Sequence, residues 1–249
     1  MIVLKTPAEI ETMREAGRIT ARALRSVGEA VHPGVKTSEL DAVAEDVIVS
    51  AGAVPAFKGY NGFPATICAS VNGEVVHGIP SAKRTLREGD IISIDVGAIV
   101  DGYYGDAAYT FPVGEIAPDV AALLRATHES LDAGISRCVV GMRLYDISNA
   151  VQEVAEGAGY GVVREYVGHG IGRAMHEDPQ IPNFGPAGRG PVLKAGMVFA
   201  IEPMVNQGGA PVRTLEDGWT VVTQDGRPSA HFEHTVAITE TGPMILTVE

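Results

Sequence analysis

LREGDIISIDVGA (residues 86–98) decides the fold, because LKAGMVFAIEPMV (residues 193–205) repeats its layout. In each stretch a glycine turn leads into an apolar run that one carboxylate interrupts, Asp95 in the first and Glu202 in the second. The offset is 107 residues, as between Leu86 and Leu193, and it also aligns GVKTSELDAVAEDVIVSAG (residues 34–52) with GMRLYDISNAVQEVAEGAG (residues 141–159). This gapless match predicts an internal repeat. Chance similarity between two helix–strand units is the alternative.

Each half of the repeat places its helices first and its strands second. Such an order favours an α+β fold in which helices cover one face of a sheet. The predicted elements are a long helix at about Pro7–Val27 and Pro118–Arg137, a turn at Pro33-Gly34 and at Gly141, and a second helix capped by Thr37 or Ser38 and by Tyr145-Asp146.

Composition narrows the class of protein. The 249 residues are 45% hydrophobic, enough for one large domain or two small ones. A formal net charge of -12 argues against wholesale binding to nucleic acid or to a membrane surface. The two cysteines, Cys68 and Cys138, form no Cys-x-x-Cys pair, which indicates a reducing cytoplasm. The opening MIVLKTPAEIETMREAG has no long apolar run, so neither a signal peptide nor a membrane span is expected.

Two carboxylates at equivalent repeat positions require compensation. Burying an isolated carboxylate in an apolar strand costs several kcal/mol or raises its pKa until it is neutral. Asp101-Gly102 is a hairpin signal, and folding the chain there brings Asp106 roughly opposite Asp95, within a residue or two. We therefore predict that a cation is shared between the halves.

A fourth carboxylate, Glu233, lies in the apolar run HFEHTVAIT (residues 231–239), which is predicted to be a strand. With Asp95, Asp106 and Glu202 it makes a charge of -4, which two divalent cations would neutralise. Oxygen ligands with one imidazole suit manganese, iron(II), cobalt or zinc. Each acid taken alone has a plainer explanation, as a turn, a helix cap or a strand-edge residue.

The segment GHGIGRAMHEDP (residues 168–179) adds two imidazoles. A histidine flanked by glycines can approach a metal closely, so His169 is a candidate ligand and His176 a candidate hydrogen-bond donor to substrate. The segment is not His-Glu-x-x-His, no Pro-Cys-x-x-Cys follows it, and the chain has no Gly-x-Ser-x-Gly elbow. The remaining loop histidines are expected at the surface: His32, His128, His231 and His234.

Five blocks in this order and spacing resemble the type I methionine aminopeptidases of metallopeptidase family M24, over nearly the whole chain. They are GYNGFPATICASVNGEVVHGIP, GDIISIDVGAIVDGYYGDAAYTF, GHGIGRAMHEDP, FAIEPMV and HFEHTVAIT. The resemblance implies the pita-bread (creatinase/aminopeptidase) fold, a pseudo-twofold repeat of helices on a central antiparallel β-sheet. Residues 1–249 would form one catalytic domain, with an internal repeat at about 7–114 and 118–249.

The resemblance also implies a role for each matching residue. The ligands of two divalent ions would be Asp95, Asp106, His169, Glu202 and Glu233, with Asp106 and Glu233 bridging. Glu202 would also act as general base, and His77 and His176 would position the scissile amide and stabilise the tetrahedral intermediate. The pocket for the methionine side chain would comprise Tyr60, Phe63, Cys68, Met175 and Trp219.

Some positions depart from the commoner bacterial pattern of that family. Phe63 stands where tyrosine is frequent, Met175 where phenylalanine is frequent, and Phe57 where a small residue or cysteine often lies. All three are apolar, so recognition of methionine should persist while details of pocket shape differ. We expect neither the N-terminal zinc-binding extension of eukaryotic type I relatives nor the inserted helical subdomain of type II relatives, for which the segment from Gly172 to Glu202 is too short.

By resemblance, the expected enzyme is a cytoplasmic, monomeric methionyl aminopeptidase that uses cobalt, manganese, iron or zinc. It would remove the initiating methionine from nascent proteins with a small second residue, through hydroxide activated by two metals. Its partners would be nascent N-termini and, transiently, the ribosome, with no DNA and no membrane. The alternatives are an Xaa-Pro peptidase of the same fold and a non-catalytic binding relative.

Overall fold

The computed structural model describes residues 1–249 as four α-helices, one 3₁₀ turn at Tyr60–Gly62 and fifteen short or medium strands. The helices are α1 (Pro7–Ala30), α2 (Thr37–Ser50), α3 (Pro118–Ile135) and α4 (Leu144–Gly157). The strands are β1 (Val54–Pro55), β2 (Ile67–Val71), β3 (Glu74–Val76), β4 (Ile91–Val100), β5 (Tyr103–Pro112), β6 (Gly161–Val162), β7 (Gly168–Gly170), β8 (Glu177–Ile181), β9 (Val198–Ile201), β10 (Met204–Asn206), β11 (Val212–Thr214), β12 (Val221–Thr223), β13 (Ser229–His231), β14 (His234–Thr239) and β15 (Gly242–Ile245).

The observed cap of each second helix lies ahead of the predicted one: Lys36 precedes Thr37 and Ser38 by one or two residues, and Arg143 precedes Tyr145 and Asp146 by two or three. Lys36 precedes α2, and its backbone N–H donates to the Glu39 carboxylate at 2.9 Å. Arg143 precedes α4 and donates to the Asp146 carboxylate at 2.7 Å. In both cases the carboxylate of the third helical residue accepts from the backbone N–H of the cap residue, which is one half of a capping box. The hydroxyl of Thr37, a predicted cap, instead pairs with the backbone of Ser81.

The repeat is visible in the hydrogen bonds. Gly34 and Gly141 both have positive φ, 97° and 91°, and their N–H groups donate to Leu86 and Leu193. Two isolated bridges, Lys36 with Thr85 and Arg143 with Val192, stand at the same offset. Each turn therefore ties the start of a helix to the start of the strand region in its own half.

The hairpin of β4 and β5 turns at Asp101-Gly102 as predicted. Both turn residues have positive φ, 50° and 79°, as a two-residue type I′ turn requires. Asp106 pairs with Gly97 rather than with Asp95, which pairs with Ala108. Because residues two apart share a face, Asp95 and Asp106 are diagonal neighbours on the same side of the hairpin.

All strand pairs are antiparallel and form four small sheets. The sheets of the two halves meet where β5 lies beside β14. The N–H of Glu233 donates to Ala108 at 2.9 Å, and the Thr235 hydroxyl donates to the Asp106 carbonyl at 2.8 Å. The backbones that carry Asp106 and Glu233 are thereby held together.

Glu202 and Glu233 lie just outside the strands predicted to contain them. Glu202 follows β9 directly, and Glu233 directly precedes β14. Pro203 has no N–H to donate to a ladder, which explains why β9 ends at Ile201. The ends of β9 and β14 therefore determine where the Glu202 and Glu233 carboxylates lie.

Each half has its own apolar core. A cluster of 17 buried side chains, which includes Leu40 and Ile94, occupies the first half, and a cluster of 18, which includes Leu144 and Phe199, occupies the second. None of the helices combines the length and apolar composition that a membrane crossing needs.

The first turn of α1 generates a stability prediction. The Tyr103 hydroxyl donates to Glu9 at 2.6 Å, and Thr6 donates to the same carboxylate through its backbone N–H. These bonds lower the pKa of Glu9 from 4.5 to about 2, the bond from Tyr103 contributing most. A carboxylate with a depressed pKa stabilises the fold above its unfolded pKa, and that stabilisation is lost as the pH falls through the folded value.

We expect Glu9→Gln to lower the free energy of unfolding at neutral pH. The difference from the wild type should shrink as the pH falls from about 5 to about 2, because the wild-type carboxylate becomes protonated over that range. Denaturant unfolding at several pH values measures this difference. Glu11→Gln is the matched control, since Glu11 forms only an exposed pair with Arg14. A difference independent of pH would contradict the assignment.

Candidate metal centre and substrate pocket

One cavity of 190 Å³ gathers every residue predicted for the site. It is lined by 14 residues, and the two that the predicted set lacks are Phe57 and Asn61. The predicted residues on its wall are Tyr60, Phe63, Cys68, His77, Asp95, Asp106, His169, Met175, His176, Glu202, Trp219 and Glu233. Their elements come from both halves of the repeat, so the cavity lies between the halves.

An acidic cluster forms the floor of the cavity. Ligand atoms of Asp106, His169 and Glu233 all lie within 4.8 Å of one another. His169 Nε2 is 3.5 Å from a Glu202 oxygen and 3.9 Å from an Asp106 oxygen. Both Asp106 and Glu233 are buried. Charged groups this close and this dry need a counter-charge.

The protein itself supplies no such counter-charge. The cavity has no lysine or arginine in its lining. Buried oxygens of Asp95, Asp106 and Glu233 have no hydrogen-bond partner, although such atoms are normally satisfied. Orphaned carboxylate oxygens beside an imidazole nitrogen fit a divalent transition metal. The carboxylate oxygens and the imidazole nitrogen are therefore chemically suited to bind such a metal.

Burial governs the pKa values of this cluster. Desolvation raises the pKa of Asp106 from 3.8 to about 7. The pKa values of Asp95, Glu202 and Glu233 are also raised, first by burial and then by the neighbouring carboxylates. Each shift is the cost of removing negative charge from water without a cation beside it.

His169 is arranged as an electron-pair donor. Its Nδ1 lies 2.9 Å from the Gly170 carbonyl, which can only accept, so Nδ1 carries the proton. Nε2 is then the unprotonated nitrogen, and it faces the carboxylates. Burial lowers the pKa of His169 to about 4, which keeps the ring neutral. A metal ligand needs this tautomer.

Two further histidines stand above the acidic floor. His176 Nδ1 lies 2.8 Å from the Tyr60 hydroxyl, and its ring centroid is 4.4 Å from that of His169. His77 packs edge-on against Trp219 and has a positive φ of 59°. Burial lowers the pKa of His77 from 6.5 to about 4. Both imidazoles can offer neutral N–H donors at the cavity wall.

The opposite wall is apolar. Phe57, Phe63, Cys68 and Met175 are buried in one cluster, and Trp219 packs edge-on against Phe63 with centroids 5.1 Å apart. Burial raises the pKa of the Cys68 thiol well above its usual value. Cys68 therefore acts as a small apolar surface rather than as a nucleophile. Aromatic rings and sulfur make a good surface for a thioether.

The expectation of surface positions is wrong for His231 and His234. His231 is 1% exposed, and its Nε2 lies 3.6 Å from a Glu202 oxygen with no hydrogen-bond partner. His234 is partly buried, with Nδ1 2.8 Å from the Thr247 hydroxyl. No sequence pattern singled out His231, because it ends β13 whereas Glu233 lies beyond that strand. Asn61, also missed, carries an Asn-Gly turn signal and a positive φ of 48°.

Comparison with known proteins agrees with this geometry. Residues 11–240 match the family model described as metallopeptidase family M24. A methionine aminopeptidase of Clostridium acetobutylicum is 57% identical, with 100% of this chain and 99% of the relative covered. The solved methionine aminopeptidase of Thermotoga maritima is 50% identical and superposes with a TM-score of 0.99 over 100% of both chains.

A proline-specific relative shares the fold at lower similarity. The solved prolidase from Pyrococcus furiosus is 26% identical, with a TM-score of 0.80, and the match covers 99% of this chain and 66% of that one. The pita-bread architecture is thus common to both groups. Identity and coverage together assign this chain to metallopeptidase family M24, to which it belongs as one of the methionine aminopeptidases.

Proposed function

We propose that this chain hydrolyses the first peptide bond of new polypeptides, releasing an N-terminal methionine when the second residue is small. The observation that carries the proposal is the pairing of an apolar wall with unpartnered carboxylate oxygens in one cavity. The apolar wall suits a thioether side chain, and the carboxylates suit the metals of a hydrolase. Full-length relatives named methionine aminopeptidases support the same assignment.

We propose that Asp95, Asp106, His169, Glu202 and Glu233 would hold two divalent ions. When bound, such ions lower the pKa of water toward neutrality and polarise a carbonyl group. Cobalt, manganese, iron(II) and zinc all fit the donor set of carboxylate oxygens and one imidazole.

Glu202 is the proposed proton carrier. Its carboxylate would accept a proton from the attacking water and deliver it to the departing amine. Glu202 lies at the boundary of the acidic floor, beside both His169 and His231. A general base within hydrogen-bond reach of the reacting atoms typically contributes about 10²–10⁴ in rate.

The outer histidines are the proposed hydrogen-bond donors. The Tyr60 hydroxyl can donate to Nδ1 of His176, which leaves the proton on Nε2. That N–H would donate to the carbonyl oxygen as negative charge develops there. His77 would hold the scissile amide from the other side. A positive φ at His77 is a strained backbone of the kind that functional sites retain.

The proposed methionine pocket consists of Tyr60, Phe63, Cys68, Met175 and Trp219. Phe57 lines the same cavity, and its ring would lie 3.1 Å from a Cβ atom placed on Gly97. The departures Phe63 and Met175 keep this wall apolar, so affinity for a thioether should persist.

The cellular setting is part of the same proposal. We take residues 1–249 as one catalytic domain, because the proposed ligands come from both halves. The enzyme would act in the cytoplasm as a monomer, and it would meet nascent chains through transient contact with the ribosome. Neither DNA nor a membrane would take part.

A peptide panel tests the proposed activity. Metal-stripped protein would be assayed on Met-Ala-Ser, Met-Leu-Ser and Ala-Pro peptides after cobalt, manganese, iron(II) or zinc is restored. We expect methionine release from Met-Ala-Ser alone, and only with metal. Cleavage of Ala-Pro would move the chain to the proline-specific branch. A folded protein without activity on any peptide would favour a binding function.

Glu202→Gln should lower kcat by about 10²–10⁴, because the amide cannot carry the proton. The fold should persist, since removing one buried charge relieves repulsion among the carboxylates. Steady-state kinetics at measured metal content gives the value. Glu240→Gln, an exposed turn position, is the control and should leave kcat unchanged. Near-native turnover in the Glu202 variant would reject its role.

Asp106→Asn tests the metal site without reference to activity. Saturating divalent metal should stabilise the wild type, by about 2.7 kcal/mol at a hundredfold excess over Kd. The Asp106 variant should lose most of that gain, because a proposed ligand is gone. Thermal unfolding with and without metal measures both. Asp46→Asn, exposed on α2, should keep the full gain. An equal gain in the Asp106 variant would exclude Asp106 as a ligand.

A further inference from the structure

Lys5 is the one lysine or arginine among the buried residues of this protein. It lies in the segment ahead of α1, and its backbone N–H donates to the Gly196 carbonyl at 2.7 Å. Its side chain is only 4% exposed. Lysine is rarely buried without a partner, so the group that meets its ammonium is informative.

That partner is Glu177, which directly follows His176. Lys5 Nζ lies 2.5 Å from Glu177 Oε2, and it also donates to the Val3 carbonyl at 3.3 Å. The other carboxylate oxygen accepts from the backbone N–H groups of Arg173 and Ala174, at 2.8 and 3.3 Å. One carboxylate therefore joins the N-terminal segment to the catalytic loop, which we define as residues 171–176.

The catalytic loop carries two residues of the proposed site. Met175 is buried in the apolar wall, and His176 contacts both Tyr60 and His169. Packing around the loop is tight. A Cβ atom on Gly172 would lie 2.5 Å from both the Glu177 carboxylate and Lys5 Cε, so the chain can approach only because no side chain intervenes.

A buried ion pair is a weak source of net stability, because desolvation offsets most of the attraction. Its geometric effect remains, since a short charge-assisted bond fixes the position of both partners. A displacement of about 1 Å in a catalytic group can lower the rate about 10²-fold. A fixed Glu177 therefore acts mainly on the position of His176, which directly precedes it.

We propose that the Lys5–Glu177 ion pair is a positioning device for the catalytic loop. Through Glu177 it directs the His176 ring toward the scissile carbonyl. Neither Lys5 nor Glu177 lines the cavity, so both act through other residues. The kinetic part of this inference rests on the proposed function, whereas the position of the His176 ring does not.

Lys5→Met keeps the length of the side chain and removes its charge. We expect kcat on Met-Ala-Ser to fall about 10- to 100-fold per folded, metal-loaded molecule. KM should change by less than about threefold, because the pocket wall persists. Metal stoichiometry should be unchanged, since no proposed ligand belongs to the catalytic loop. Arg14→Met, which removes an exposed ion pair on α1, is the control and should keep wild-type kinetics.

A second readout is independent of activity. In metal-free protein labelled with ¹⁵N-histidine, the His176 ring nitrogens report its tautomer and its bond with Tyr60. We expect both signals to shift or broaden in Lys5→Met, while those of His234 stay in place. His176→Asn assigns the signals by removing them.

Unchanged kcat in Lys5→Met, or unchanged His176 signals, would overturn the proposal. Should Lys5→Met fail to fold, Lys5→Met with Glu177→Gln carries the same test, because no unpaired charge remains buried and the amide oxygen can still accept from the loop. This double variant should fold and show the same loss of kcat. Shifted His176 signals in a protein whose wild type releases no methionine would support the positioning role and reject the proposed function.

Discussion

Repulsion among buried carboxylates is the constraint on which the rest of this structure depends. Asp95, Asp106, Glu202 and Glu233 converge where no lysine or arginine can reach them. An apolar residue at any of these positions would cost less free energy to bury than a carboxylate does. The geometry in which the two halves meet therefore carries a repulsion that bound cations would relieve. The repeat, the hairpin and the contact of β5 with β14 all serve to keep that geometry.

The fold was predictable to the extent that it follows local rules. Asp101-Gly102 permits only a tight turn with two positive φ values, so the hairpin could be inferred from two residues. The offset between Leu86 and Leu193 reveals the repeat because each half packs its helices on its strands with apolar residues at equivalent positions. The start of α2 was placed too late because its cap residue is Lys36, whose side chain cannot accept a hydrogen bond, while the Glu39 carboxylate accepts from the Lys36 backbone N–H. Competing caps of similar strength cannot be ranked by composition alone.

The site was predictable in its members and less so in its surroundings. The resemblance supplied residues from all five blocks, and the structure brings them to one cavity. His231 was missed because a histidine before an apolar strand gives no sign of which sheet will cover it. The contact of Lys5 with Glu177 joins residues far apart in the chain, and no periodicity or motif spans that distance. Long-range pairs of this kind depend on tertiary packing, which local patterns do not encode.

The two-residue turn of the β4–β5 hairpin also bears on how the chain reaches its native state. Neighbouring strands joined by so short a loop can pair within about 1–10 μs, long before distant segments meet. Asp95 and Asp106 would thus be brought together early, while Glu202 and Glu233 must wait for the second half to close over about a hundred intervening residues, and such non-local contacts are slow. On these timescales the four charges would assemble late in folding. A newly made molecule would then acquire most of its native contacts before the repulsion among the four carboxylates arises.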